Sequence, residues 1–173
     1  MTNKATDTDR GYKRLLADLA AITDPVVLVG IRQDKGAEVP PRVLADGSTK
    51  PGSATVAEYA AYNEFGTPTT PSRPFLRRTM DKNRPKYADR LTMIVGDAVD
   101  GKRPLEQGME YLGLEGVRDV KRAITDWKSP PNADSTKRRK KGVNNPLIDT
   151  GRLRASIDHE VRMEGMKASG EAP

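Results

Sequence analysis

The segment from Val56 to Arg78 places the tightest constraint on how this 173-residue chain can fold. Thr55 suits the N-cap of a helix, because its hydroxyl can accept a hydrogen bond from a backbone N–H of the first turn. Gly66 then stops that helix. Three prolines follow between Thr67 and Pro74, where the backbone should be extended and stiff. A second helix resumes near Phe75, so the segment predicts two helices joined by a short rigid linker.

Two other segments have the composition of β-strands. Val26 to Ile31 is a short, largely β-branched apolar run, which predicts a strand buried on both faces. From Ala155 to Val161, apolar and polar residues alternate with a period of two. We expect these strands to pair in one sheet with helices packed on one face. The predicted fold class is therefore α+β, a small antiparallel sheet packed by several helices.

Helical periodicity marks three further stretches. Apolar residues recur every three or four positions from Tyr12 to Ile22, from Tyr87 to Ala98, and towards the end of Leu105 to Trp127. Pro85 should force a break or a fresh start, because a proline inside a helix removes a hydrogen bond and clashes with the preceding turn. The glycines of the last stretch predict either a break near Gly113 or close packing against another backbone.

Two polar excursions interrupt these elements. Residues 33–54 should form a long loop or an exposed hairpin with its turn near Asp46-Gly47. Residues 128–145 should form a basic flexible loop, because they hold too little apolar surface to order themselves. The remaining predicted boundaries are a flexible N-terminus, a single α+β domain and a disordered C-terminal tail: 1–8, 9–163 and 164–173.

Composition restricts the chemistry open to the chain. Hydrophobic residues make up 35%, which predicts a modest core. The lack of cysteine excludes disulfides, thiol catalysis and cysteine metal sites. His159 is the only histidine and lies in the alternating strand, where a structural or surface role is expected. No P-loop or Gly-Xaa-Ser-Xaa-Gly motif occurs. We therefore expect no enzymatic activity, cofactor or metal, and an enzyme such as a nuclease is the weakest interpretation.

The net charge of +6 either favours contact with nucleic acid or with an acidic protein surface, or simply keeps the protein soluble. Five adjacent cations form the densest cluster: Lys137, Arg138, Arg139, Lys140 and Lys141. This run could neutralise DNA phosphates, become ordered against an acidic neighbouring subunit, or remain a solvated loop. It contains no aromatic residue to stack on bases, so sequence recognition is not expected. Neither a signal peptide nor a membrane-spanning window is present, which predicts synthesis in the cytoplasm.

Two motifs resemble a known family. Asn63-Glu64-Phe65-Gly66-Thr67, followed by Pro71-Ser72-Arg73-Pro74-Phe75-Leu76-Arg77, is similar to the signature of the HK97 gp10-like family of phage tail and neck proteins. Asn145-Pro146-Leu147-Ile148-Asp149-Thr150-Gly151-Arg152-Leu153-Arg154-Ala155-Ser156-Ile157 resembles the Asn-Pro-Pro-Leu, Asp-Thr-Gly and Leu-Arg-Xaa-Ser-Ile ending of that family. The motifs occur in the family's order, and the resemblance covers residues 24–162. The insert Lys128–Asn144, with its basic run, departs from the family pattern.

The resemblance implies a structural virion protein of a tailed bacteriophage, without enzymatic activity. It would be a neck (head–tail connector) or tail-completion component that forms a symmetric ring of its own copies and helps join the tail to the head. Its neighbours would be an adaptor, a head-closure protein, a tail terminator or the tail tube, with packaged DNA as a possible non-specific contact. The alternative is a small basic DNA-binding protein acting through Lys137–Lys141. The residues expected to contact other subunits or partners are Arg73, Phe75, Arg77, Arg78, Arg152 and Arg154.

Overall fold

The computed structural model describes residues 24–32, 34, 39, 42–44, 47–50, 52, 54–140 and 144–164. The predicted helix from Tyr12 to Ile22, the N-terminal segment 1–8 and all but the first residue of the predicted tail lie outside these residues. The fold is α+β, as predicted. Its described elements are, in chain order, β1 (Asp24–Ile31), β2 (Arg42–Val43), β3 (Thr49–Lys50), α1 (Val56–Phe65), α2 (Phe75–Val99), α3 (Leu105–Asp126), α4 (Asp134–Arg139), α5 (Arg152–Ala155) and β4 (Ile157–Glu164).

Strands β1 and β4 pair in a two-stranded sheet, which confirms the predicted pairing. The prediction that β1 is buried on both faces is wrong. Val29 and Ile31 pack against the core, whereas Leu28 keeps 40% of its surface exposed. A strand in a two-stranded sheet has one strand neighbour only, so its apolar residues depend on helices for cover. The apolar run therefore predicts the strand correctly, but it does not predict that part of the strand is exposed.

Residues 42–50 contain the hairpin that was one of the two alternatives predicted for this excursion. Strands β2 and β3 are antiparallel, with Arg42 opposite Lys50 and Val43 opposite Thr49. Gly47 occupies the turn with a φ of 83°, a conformation that glycine adopts without steric cost. The backbone N–H of Leu44 donates to the carbonyl of Ser48 across the turn, which fixes the register.

Helix α1 begins at the predicted cap. The Thr55 hydroxyl accepts from the Glu58 N–H at 3.1 Å, and the Glu58 carboxylate accepts from the Thr55 N–H at 2.8 Å. These reciprocal bonds satisfy two backbone donors that a helix start leaves unpaired. The backbone and hydroxyl bonds from Thr55 lower the pKa of the exposed Glu58 carboxyl below its usual range.

Helix α2 runs without interruption through Pro85, so the predicted break is wrong. Proline removes the hydrogen bond to the carbonyl four residues earlier, which belongs to Asp81. Asp81 and Pro85 are both exposed, so water can reach that carbonyl. Of the apolar face predicted from Tyr87 to Ala98, which the structure describes in full, only Ala98 is buried. Leu91, on the same face, remains 40% exposed.

Helix α3 is also continuous, so the alternative of a break near Gly113 is wrong. A Cβ at Gly108 would lie 2.3 Å from the Ile94 Cγ2 atom, and one at Gly116 would lie 2.9 Å from the Val29 Cγ2 atom. These glycines therefore allow close approach, although to side chains rather than to another backbone. The predicted apolar face of the helix is confirmed at Val120 and Ile124, which are fully buried.

Contacts divide the chain into two compact units. The first comprises 1–28, 85–113 and 160–173, and the second comprises 29–84 and 114–159. Whether they act as one domain over 9–163 stays a prediction. The main apolar cluster lies in the second unit: Ala60, Phe75, Val117, Val120, Ile124, Leu147, Leu153 and Ile157. In the described part of the chain, no helix is long and apolar enough to cross a membrane.

Candidate functional site

The first motif forms a corner between α1 and α2 (residues 63–77, the α1–α2 corner). Gly66 ends α1 with φ 81° and ψ 174°, a conformation that is almost confined to glycine. The next residues double back, since the N–H of Thr67 donates to the carbonyl of Thr70 at 2.9 Å and the N–H of Thr70 donates back at 3.2 Å. The linker is therefore a tight turn, and the prediction that it is extended is wrong for Thr67–Thr70.

Replacing Gly66 with alanine should lower the free energy of unfolding by about 3 kcal/mol, from backbone strain plus contact with the linker. A Cβ there would lie 3.0 Å from the Ser72 nitrogen and 3.1 Å from the Thr70 oxygen. Gly47 is the matched control, because its φ of +83° is similar but its Cβ would meet nothing within 4 Å. Chemical denaturation should give a loss of only about 1 kcal/mol for Gly47→Ala. Equal losses at the two sites would contradict the close approach at Gly66.

Glu64 is a buried carboxylate that holds the start of α2. Its two oxygens accept from the backbone N–H groups of Leu76 and Arg77, each at 2.9 Å. These N–H groups belong to the first turn of α2, where a helix has unpaired donors and a positive dipole end. One helix therefore caps the next through a side chain of the motif. This contact sets the direction in which α2 leaves the corner.

Arg73 locks the same corner to a distant part of the chain. It is only 5% exposed, and its guanidinium donates at 3.0 Å to the carbonyls of both Pro130 and Pro131. A longer bond of 3.4 Å reaches the side-chain oxygen of Asn63. Burial lowers the pKa of Arg73, but a guanidinium remains protonated at neutral pH. The three acceptors compensate for the removal of this charge from water.

These positions correct the predicted contact role of Arg73 and Phe75. Phe75 is 2% exposed within the apolar cluster, so both side chains are committed inside the chain. Arg77 remains exposed, and the guanidinium of Arg78 lies 5.8 Å from the centre of the Trp127 ring. The exposed aromatic of the motif is instead Phe65, at 73%. The sequence does not show which of Phe65 and Phe75 is exposed, because each lies at the end of a helix.

The second motif begins with a turn organised by Asn145. Its side-chain nitrogen donates to the carbonyls of Ile124 and Thr125 at the end of α3, at 3.0 and 2.7 Å. Its side-chain oxygen accepts from the N–H groups of Leu147 and Ile148, at 2.8 and 3.0 Å. One amide thus serves the unpaired carbonyls of a helix end and the donors of the following turn. Leu147 is thereby placed in the core, where it is 1% exposed.

The segment between the motifs has more order than predicted. Asp134–Arg139 forms the short helix α4, and Lys140 has a side chain only 7% exposed. The Lys140 ammonium donates to the carbonyls of Asn145 and Ile148, at 3.0 and 2.6 Å. These hydrogen bonds hold this part of the chain in place. The low apolar content of the segment does not predict them. The prediction of a flexible loop over the whole of 128–145 is therefore wrong, because Asp134–Arg139 is helical.

The five cations of the basic run consequently do not form one surface. Lys140 faces inward, and Lys137 pairs with Asp134 at 2.8 Å, which lowers the pKa of that carboxyl. Arg138 is exposed. The side chain of Arg139 and all of Lys141 lie outside the described residues. Contact with DNA or an acidic surface stays a prediction for the run, and Lys140 is a poor candidate for it.

A basic groove of about 470 Å³ lies in the second unit, along the C-terminal half of α3. Arg154 of the second motif reaches it, while Arg152 is half-buried nearby in α5. Arg118, Lys121 and Arg122 were not singled out from the sequence, although their i, i+3, i+4 spacing places cations on one helix face. The groove is lined by Leu114, Val117, Arg118, Lys121, Arg122, Thr125, Asp126 and Arg154.

Helix α1 of the first motif contacts α5 of the second. The two motifs, which 67 residues separate in the sequence, therefore meet in one unit. Among the described residues, no group of three or more histidine, cysteine or acidic side chains is placed to hold a metal ion. No protein-family profile, curated protein or solved structure matches the chain significantly.

Proposed function

We propose that this chain is a structural virion protein of a tailed bacteriophage, a neck or tail-completion component that forms a ring and helps join the tail to the head. The supporting observation is the way the two motifs of the resemblance use their polar residues. Glu64, Arg73 and Asn145 all bind backbone groups. Motifs of this kind maintain a shape, as an assembly protein requires.

The surfaces available to partners are those that the motifs leave exposed. Phe65 projects from the corner with 73% of its surface exposed, and large exposed aromatic residues are typical anchors of protein interfaces. Arg77 and Arg154 are exposed on the same unit. We assign contact with neighbouring copies, or with adaptor, head-closure, terminator or tube proteins, to these residues. Arg73 and Phe75 are not included, because they are buried.

A small basic DNA-binding protein remains the second candidate function, and the distribution of charge along the chain favours it. Residues 29–84 and 114–159 contain 20 Lys and Arg against 12 Asp and Glu, whereas the rest of the chain contains 10 against 12. The excess positive charge thus lies wholly in the unit with the basic groove. A steep salt dependence of binding to generic duplex DNA, with useful affinity near physiological salt, would support this candidate.

Deleting the gene from the phage that encodes it tests the virion role. We expect particles to stall as separate filled heads and complete tails, visible by negative-stain electron microscopy. Wild-type protein supplied in trans should restore joined particles. Normal yields of infectious particles from the deletion would refute the proposal.

Complementation with Phe65→Ser sharpens this test. The exposed ring contributes little to the fold, so the stability of the variant should stay within about 0.5 kcal/mol of wild type. Particle joining should nevertheless fall, because a contact anchor is lost. Thr69→Ala is a suitable control, as Thr69 is exposed in the same linker. Full joining by Phe65→Ser would exclude Phe65 from the contact.

A further inference from the structure

One strip along α3 consists of side chains that are exposed except at Lys121, which is half-buried. Its members follow the four-three spacing of a helix–helix seam: Gln107, Tyr111, Leu114, Arg118, Lys121 and Thr125. Tyr111 and Leu114, at its middle, keep 52% and 54% of their surface exposed. All these residues belong to a single continuous helix, so their alignment follows from the helical repeat alone.

Charge changes sign along the strip. No lysine or arginine occurs between residues 104 and 117, where Glu106 and Glu110 are exposed. Beyond them, Arg118, Lys121 and Arg122 supply the cations of the basic groove. The acidic start suits the positive end of the helix dipole, and the last turn of α3 contains no basic residue. The dipole, however, gives no reason to expose two large apolar side chains between the acidic and the basic residues, and a partner surface does.

We propose that this strip is a self-complementary interface that pairs antiparallel with α3 of a second copy of the chain. With Leu114 on a two-fold axis, Glu110 lies level with Arg118 of the second copy, and Glu106 lies on the same flank of the seam as its Lys121. The apolar pair then meets at the centre. Tyr111 lies beside Arg118 of the second copy, which is one of the residues that line the basic groove.

Such a contact uses the same patch on both copies, so it closes as a dimer and does not propagate into a ring. It goes beyond the proposed virion role and does not rest on it. Within each copy, Arg118 already approaches Glu115 at 3.3 Å and Arg103 lies 5.0 Å from the Tyr111 ring. A guanidinium has five N–H donors, so Arg118 can keep Glu115 and add a second carboxylate. The dimer covers Arg118 and Lys121, two cations of the basic groove.

Charge reversal provides the test. Full-length wild type should show concentration-dependent dimers by sedimentation velocity up to about 1 mM at low salt, as expected for a small interface. Glu106→Lys/Glu110→Lys and Arg118→Glu/Lys121→Glu should each weaken dimerisation at least tenfold, because the facing charges then have one sign. An equimolar mixture of the two variants should recover heterodimers. Asp81→Lys with Asp89→Lys, both exposed on α2 and outside the strip, is the control for charge change alone.

Three results would overturn the proposal: a wild type that stays monomeric, variants that dimerise as well as wild type, or a mixture without heterodimers. The chain has no cysteine, so single cysteines report the register. A short bismaleimide should link Leu114→Cys pairs near the axis and fail with Gln107→Cys pairs, which would be about 21 Å apart along the helices. Equal linking at both sites would exclude the antiparallel register. Failure of dimerisation leaves the phage deletion result unaffected, so the two proposals fail separately.

Discussion

Replacing Arg73 with alanine is expected to lower the free energy of unfolding by about 3 kcal/mol, as measured by urea denaturation. The substitution removes the donors that pair with the carbonyls of Pro130 and Pro131. It also empties a buried position, since the arginine is 5% exposed. Carbonyls left without donors lose hydrogen bonds that water cannot fully replace. The α1–α2 corner should then no longer be tied to the segment beyond α3.

Arg77→Ala is the matched control, because Arg77 has the same side chain in the same segment but is exposed. We expect it to change stability by less than about 0.5 kcal/mol. Arg73→Lys should rank between wild type and alanine, because an ammonium keeps the charge without the planar fork that reaches two carbonyls. An Arg73→Ala variant as stable as Arg77→Ala would show that the buried bonds contribute no net stability.

Replacing Asn145 with alanine should cost a similar amount, about 3 kcal/mol, because four hydrogen bonds are lost together. Two of them hold the carbonyl end of α3, at Ile124 and Thr125. The other two hold the turn that leads Leu147 into the core. Thermal or urea denaturation, followed by circular dichroism, would measure the change.

Asn144→Ala is the control, since the neighbouring asparagine is exposed and its side chain accepts one bond, from Asn132 at 3.2 Å. A loss of about 1 kcal/mol or less is expected there. Asn145→Asp retains the two acceptor bonds but places a negative charge at the carbonyl end of α3, where the helix dipole is unfavourable. We expect it to be no more stable than the alanine variant. An Asn145→Ala variant as stable as wild type would show that the four hydrogen bonds of this side chain contribute no net stability.

Local rules predicted much of the fold. The Thr55 cap, the stop at Gly66 and the hairpin around Gly47 all depend on the backbone preferences of a few adjacent residues. The pairing of β1 with β4 followed from two segments of strand character. Burial was harder to predict from the sequence, because the apolar character of Leu28 or Leu91 does not show whether another element covers the side chain. Both remain 40% exposed.

The candidate site was predicted less well than the fold. Arg73 and Lys140 were expected at the surface because arginine and lysine are rarely buried. Both instead donate to backbone carbonyls that are distant in the sequence or in a neighbouring turn. Arg154 was identified in advance, but its partners in the basic groove come from α3. Only the folded chain brings those cations to one surface.

The sequence by itself determined where helices start and stop, which segments are strands, and the two motifs that resemble a phage family. These features depend on interactions over a few residues, which sequence order preserves. The tertiary structure alone decided that the two motifs meet and that Arg73 and Asn145 donate hydrogen bonds to distant backbone carbonyls. It also decided that Phe65 and the α3 strip face outward. These outcomes depend on which distant backbone groups come within hydrogen-bond distance and which surfaces remain uncovered, and neither is encoded in spacing along the chain.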